Sequence, residues 1–269
     1  MPTRNRSTPG LVLRASTLAY LGVMVVLPLA VLAVQAAGPG PRAFWGAVAD
    51  PFARHALKLT ISTALIMVAI NAVMGTATAW VMVRYSFPGK GIMNALIDLP
   101  FAVPTVVTGL MLVALYGPSS VLGTILGRAG LAVIYQQPGI ILALLFVTYP
   151  FVIRSVQPVL LEVDRGEEEA AATLGAPPWT IFRRVTLPTL FPSILTGTAL
   201  AFSRALGEFG SVVMVAGNRP LETKTGPMYV FGEIESGNRH GAMAVSTVLL
   251  ASSLGILIAL NLLQRGRRS

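Results

Sequence analysis

The chain has 269 residues, 54% of them hydrophobic and only 12% charged, with a mean hydropathy of +0.71. Soluble domains carry about 25% charged residues, and no single water-soluble core could bury this much apolar surface, so lipid is the solvent for most of the chain. The absence of cysteine excludes disulfides and thiolate metal sites, and the net charge of +9 is a topology signal rather than a nucleic-acid footprint, because of where the basic residues fall.

In chain order, a tail over residues 1–14 carries Arg4, Arg6 and Arg14. The first apolar run extends from Ala15 to Ala37 and contains Pro28. A signal-peptide core is only about 7–15 residues long, so this run predicts an uncleaved anchor helix. A transmembrane helix needs roughly 20 apolar residues, and five further spans are predicted at 57–83, 95–116, 139–157, 190–216 and 241–263. A tail at 265–269 follows. The predicted fold class is all-α: a polytopic membrane bundle of six transmembrane helices in one domain over 15–264. Pro100, Pro104 and Pro150 lie inside spans, where neighbouring helices or hydroxyls must recapture the freed carbonyls. The pairs Gly75–Ala79 and Gly197–Ala201 have the spacing of close helix packing.

Basic residues set the orientation. With the N-terminus inside, Arg4, Arg6, Arg14, Arg84, Lys90, Arg154, Arg165, Arg183, Arg184, Arg265, Arg267 and Arg268 are cytoplasmic. Arg42, Arg54, Lys58, Arg128, Arg219, Lys224 and Arg239 are outside or at outer span ends, and Arg204 lies within a span. Both termini are therefore placed in the cytoplasm. The two histidines, His55 and His240, are far apart in sequence, so neither a metal site nor a histidine-based catalytic pair is expected. A nucleophile–base set is missing as well, so this chain is expected to perform no bond chemistry.

The long cytoplasmic loop, 159–189, is the most informative segment. Asp164 and the run Glu167-Glu168-Glu169 precede Ala170-Ala171-Ala172-Thr173-Leu174 and Gly175. Acidic residues at the start and glycine at the end predict a short capped helix. Pro177-Pro178 can open a second helix bearing Trp179, Ile181, Phe182 and Val185, with Leu187-Pro188 expected to stop it before the fifth span. Two short helices held outside the membrane form a rigid knob that a soluble motor could grip. The alternative, an amphipathic hairpin on the headgroups, is favoured by Arg183 and Arg184 and opposed by three glutamates facing an anionic leaflet.

The segment Glu169-Ala170-Ala171, Gly175 and Leu187-Pro188, with Val185 where isoleucine is usual, resembles the EAA loop of ABC-importer permeases. The resemblance implies that Glu169, Ala170, Ala171, Gly175, Leu187 and Pro188 couple the chain to an ABC ATPase, with Glu169 in polar contact with it. ATP and Mg would then belong to that partner, and this chain would hold no cofactor. The stretches Trp80–Lys90, Asp98–Gly109, Pro150–Val159 and Arg204-Ala-Leu-Gly207-Glu208-Phe209-Gly210 resemble sulfate/thiosulfate permeases of the T type. That resemblance implies a related W-type permease as second subunit in a heterodimer, a periplasmic or lipid-anchored sulfate-binding protein, and residence in the bacterial inner membrane. Molybdate and tungstate permeases share the last stretch and remain the alternative. They are usually shorter and lack the first helix. Two outer stretches depart from the T-type pattern: Glu222-Thr223-Lys224 and Asn238-Arg239-His240.

Arg204 and Glu208 are spaced i,i+4 in the fifth predicted span. A charge at the bilayer centre costs about 2.5–3.5 kcal/mol on insertion scales, and pairing them on one helix face reduces that cost. They form either a packing ion pair or part of a route for a dianion. Release of a dianion argues against tight cationic sites, so the hydroxyls of Thr105, Thr108 and Ser203 are further pathway candidates. An ion-coupled secondary transporter would carry ionisable groups in several spans, and no internal repeat supports one.

Overall fold

A computed structural model describes residues 8–265; Arg4, Arg6, Arg267 and Arg268 of the two tails lie outside that range. Among the described residues the regular structure is entirely helical, as lipid demands, since a spanning segment must satisfy its own backbone.

The first span is α1 (Thr8–Leu21), a π-helical turn (Gly22–Val26) and α2 (Leu27–Ala37). A proline in a helix removes one donor and clashes with the carbonyl four residues back. Here the wider turn, closed by Leu27 N–H to Gly22 O, lies directly before Pro28. After Gly40, at φ 95°, α3 (Pro41–Ala49) leads to Asp50, whose carboxylate accepts the Phe52 and Ala53 N–H groups at 2.9 and 3.1 Å and starts α4 (Pro51–Arg84). At 34 residues α4 is about 51 Å long and overshoots the ~30 Å hydrocarbon layer.

The third predicted span, 95–116, is not one helix. It is α5 (Lys90–Ala102) followed by α6 (Thr105–Tyr116), bent by 114°. The break falls at Val103-Pro104, where Val103 is extended at φ −84°, ψ 127°, the conformation a following proline imposes. Next come α7 (Val121–Arg128), capped by Ser120, and α8 (Gln137–Glu162). The knob contains α9 (Arg165–Thr173) and α10 (Pro178–Ile181), and a second π turn (Phe182–Thr186) leads into α11 (Leu187–Leu206). The fifth predicted span, 190–216, is likewise interrupted: α11 ends at Leu206, and α12 (Gly210–Ala216) starts after a break at Gly207–Phe209. α13 (Gly226–Glu235) and α14 (Arg239–Arg265) complete the described residues. Among the described residues, five helices are long and apolar enough to cross a membrane, and the bent α5–α6 pair makes a sixth span if it is counted as one.

Packing centres on α8. Leu59 and Met67 of α4, Ile140 and Leu144 of α8, and Phe202 and Leu206 of α11 form one core; Ala79, Met82, Val152, Val156 and Leu190 form another. Both small-residue pairs lie in these contacts. A Cβ on Gly75 would sit 2.8 Å from Val152 Cβ, and one on Gly197 would sit 2.7 Å from Val152 Cα. Val152 is thus gripped from two sides by helices that only glycine lets approach so closely. Deeper in, Asn71 of α4 donates to Thr148 of α8 at 2.8 Å, and both are buried.

Gly197→Ala should therefore overpack the α8–α11 contact by about 1–3 kcal/mol, because the obstructing atom is backbone. Thermal unfolding in detergent should show a lowered midpoint. Gly255→Ala, where an added methyl meets nothing within 4 Å, should leave it unchanged.

Candidate functional site

The loop between α8 and α11 is built from its caps outward. The Asp164 carboxylate accepts the Gly166 N–H at 2.8 Å, and Glu167 and Glu168 occupy the first turn of α9, where the helix dipole favours them. At the other end, Ala176 N–H bonds to Ala171 O at 3.1 Å and Gly175 N–H to Ala172 O at 2.9 Å. That is a Schellman motif, and it needs the left-handed backbone (φ 82°) that Gly175 supplies. Pro177 caps α10, and Pro178 is its first residue.

Leu187-Pro188 does not stop the second helix. The chain runs from α10 through the π turn into α11, with Leu187 N–H bonded to Phe182 O. This is the solution seen at Leu27-Pro28: a five-residue π turn stands before each Leu-Pro pair and keeps the helix continuous.

Of the predicted coupling residues, Glu169, Ala170, Gly175 and Pro188 are exposed, and Ala171 and Leu187 are half-buried. Leu174 and Trp179 also present apolar surface at the knob. Glu168 points the other way. Its Oε1 accepts from Arg84 Nη2 at 2.5 Å and from Thr186 Oγ1 at 2.8 Å. Arg84 lies over the Trp80 ring, Trp80 meets Phe182 edge-on at 5.4 Å, and Phe182 stacks on Trp179 at 5.6 Å. Sequence reasoning missed Glu168. The available signal was the 100° step between successive helix residues, which prevents three adjacent glutamates from facing one way.

A second charged cluster joins α5 to α8. Arg154 donates bidentately to Asp98 (Nε to Oδ1 at 2.8 Å, Nη2 to Oδ2 at 2.5 Å), and also to Asn94 Oδ1 and Gln157 Oε1. A planar fork matched to a carboxylate fixes orientation as well as charge.

Arg204 and Glu208 meet at 2.6 Å, but not on one helix, since Glu208 lies beyond the end of α11. Its other oxygen accepts the Ser211 N–H and hydroxyl, both at 2.8 Å, at the start of α12. One carboxylate thus bridges the break in the fifth span. Its side chain is 1% exposed, against 36% for Arg204. Thr105 is half-buried, with its hydroxyl so close to Gly210 that a Cβ there would collide. Thr108 is buried beside Gly109, whose added Cβ would lie 2.6 Å from Ser211 O. Ser203 Oγ is shielded without a partner and lines a cavity of about 350 Å³ with Gly207, Pro227, Ser246 and Ser253.

Lys224, Asn238 and His240, from the two stretches that depart from the T-type pattern, line another cavity of about 580 Å³ together with Asp50, Tyr229 and Glu233. Lys224 lies 5.8 Å over the Tyr229 ring. Burial, followed by the nearby Glu233 and Asp50 carboxylates, pushes the Tyr229 phenol up to about 12. Among the described residues no group of His, Asp and Glu side chains could hold a metal ion.

Comparison with known proteins adds a family and a fold. A family described as "Binding-protein-dependent transport system inner membrane component" matches residues 71–268. The chain is 45% identical over 248 residues to the probable sulfate transport system permease protein cysT of Chlorokybus atmophyticus, covering 92% of this chain and 87% of that one. It is 40% identical over 266 residues to the sulfate transport system permease protein CysT of Escherichia coli K12, covering 98% and 96%. Among solved structures it resembles a bacterial alginate ABC transporter (TM-score 0.75, 17% identity, 95% and 93% covered) and the MetNI methionine ABC transporter (TM-score 0.58, 18% identity, 78% and 94% covered).

The bridge across the fifth span can be tested on its own. Arg204→Met should lower the unfolding midpoint, because it leaves the buried Glu208 uncompensated. With Glu208→Gln it should form a non-additive cycle, with an interaction energy in the ~0.5–3 kcal/mol range of coupled neighbours. Additive losses would show that the pair does not act as a unit.

Proposed function

The chain belongs to the family of inner-membrane components of binding-protein-dependent transport systems, and on that premise we propose that it is the permease subunit of an ATP-driven sulfate importer. It is a multi-pass transport component with the fold of type I ABC-importer permeases, not an enzyme. One observation carries the substrate: the 40–45% identity to sulfate permeases extends over nearly the whole of both chains.

In this reading the chain lies in the inner membrane with both termini and the knob in the cytoplasm. A separate ABC ATPase binds ATP and Mg and docks on Glu169, Ala170, Ala171 and Gly175, with Leu187 and Pro188 behind them. The chain itself holds no cofactor. A W-type permease completes a heterodimer, and a sulfate-binding protein delivers substrate from outside. ATP-driven closure of the ATPases moves the knob, and the spans alternate between outward and inward access. Thiosulfate shares the tetrahedral dianionic shape and travels the same route.

The pathway runs past Arg204 and Ser203 at the interruption of the fifth span, with Thr105 and Thr108 on the facing α6. Two features support this. Arg204 is matched by Glu208, so the site attracts a dianion without becoming a trap, and Ser203, whose shielded hydroxyl has no partner, lines a cavity with Gly207 at the same interruption.

The assembled importer in proteoliposomes should take up labelled sulfate only with ATP and binding protein present. Excess thiosulfate should compete, and molybdate should not. Glu169→Ala should lower uptake and ATPase co-purification together while membrane insertion stays intact. Unchanged uptake in that variant would overturn the docking assignment, and competition by molybdate alone would overturn the substrate.

A further inference from the structure

α9 has no buried side chain, and a nine-residue helix is marginal on its own in water. It packs chiefly on α10 and the π turn, so no hydrophobic face fixes it to the membrane-spanning helices. Its direct polar tie to them is Glu168. A single oxygen of that residue engages Arg84, the last residue of α4, and Thr186, the last residue of the π turn that leads into α11. The node is well shielded: the Arg84 and Glu168 side chains are 11% and 20% exposed, and Thr186 is fully buried. Arg84 Nε has no partner of its own, so Glu168 is the one carboxylate within ion-pair distance of this guanidinium among the described residues.

We propose that Glu168 is the positioning residue that locks the knob to spans two and five together, so that any displacement of α9 reaches α4 and α11 as one movement. The inference rests on the reading of the knob as the ATPase dock, and it assigns a separate task to the residue beside the one assigned to docking. Glu169 faces out, to be gripped; Glu168 faces in, to transmit. The π turn sharpens this. A π segment is a strained register inside an α-helix and often marks a functional position. Thr186 stands at the end of that segment, held to Glu168, while Phe182 at its start is held to Trp80 of α4. The orientation of α9 and the register of the fifth span are therefore tied by the same side chain.

A purely structural staple and a transmitting one give different readouts in the reconstituted importer. Glu168→Gln keeps the side-chain size and still accepts from Thr186, so it removes the ion pair alone. The ATPase should still co-purify and hydrolyse ATP, while sulfate transported per ATP falls about tenfold, within the range of ordinary coupling energies. Arg84→Gln should give the same loss, and the double variant should be no worse than either single one. Thr186→Val, which keeps the ion pair and the shape, should lower the ratio to a smaller degree and gives the reading should the charge variants not assemble. Glu167→Gln, on the exposed side, should leave the ratio unchanged. An unaltered ratio in the Glu168 and Thr186 variants would overturn the proposal, as would a fall in hydrolysis strictly parallel to lost ATPase association. A wild-type importer without ATP-driven sulfate uptake would instead overturn the function on which the proposal rests.

Discussion

A spanning chain in lipid has to satisfy every backbone donor and acceptor within itself, and the irregular features of this molecule follow from meeting that demand with prolines in the spans. There are three outcomes, of which the simplest is seen at Pro100, Pro150, Pro158 and Pro192, where the proline lies inside an unbroken α-helix. At Leu27-Pro28 and Leu187-Pro188 the helix continues by widening into a π turn. At Val103-Pro104 it separates into two helices bent by 114°. A second break, at Gly207–Phe209, involves no proline and is stabilised by a side chain instead, with Glu208 taking the Ser211 N–H that would otherwise be orphaned at the start of α12.

Charge is subject to the same accounting. Three ion pairs each link a helix to another helix or to the far side of a break. Arg204 and Glu208 span the α11–α12 interruption. Arg154 and Asp98 fasten α5 to α8 just before the α5–α6 bend. Arg84 and Glu168 close the C-terminal end of α4 on the loop. Replacing such pairs by apolar side chains is often neutral or stabilising, so bulk stability is a weak reason for having them. What they supply here is relative position, at the places where the helical backbone alone no longer sets it.

Much of this was legible in sequence. Span positions follow from apolar length, and the knob follows from Asp164, Gly175 and Pro177-Pro178, because caps are local chemistry. The prolines were visible, but their consequences were not. An apolar run containing a proline reads the same whether the helix kinks, widens or breaks, and the outcome depends on what packs against the freed carbonyl. Leu187-Pro188 reads as a stop from residue type alone, and the helix continues through it because the π turn before it carries the Leu187 N–H to Phe182 O. Arg204 and Glu208 were rightly paired and wrongly placed on one helix, since Gly207 ends α11 between them. Glu168 was hidden because its partner lies 84 residues earlier in the chain, a distance that no periodicity spans.

These features also bear on where the molecule can change shape. The α4–α8–α11 core is interlocked at Val152, which Gly75 and Gly197 press from either side at spacings that admit no extra methyl group. Packed interfaces of that kind move as bodies rather than deform. Force entering at α9 through Glu168 would act on two of those three helices at the ends beside the loop, so the third has to follow. The compliance then lies in what remains outside the interlock: the α5–α6 bend and the α11–α12 break. These two meet where Thr105 rests against Gly210. Both interruptions lie in segments assigned to the pathway, so the residues that leave the backbone irregular are also those through which a rigid-body movement would open or close a route.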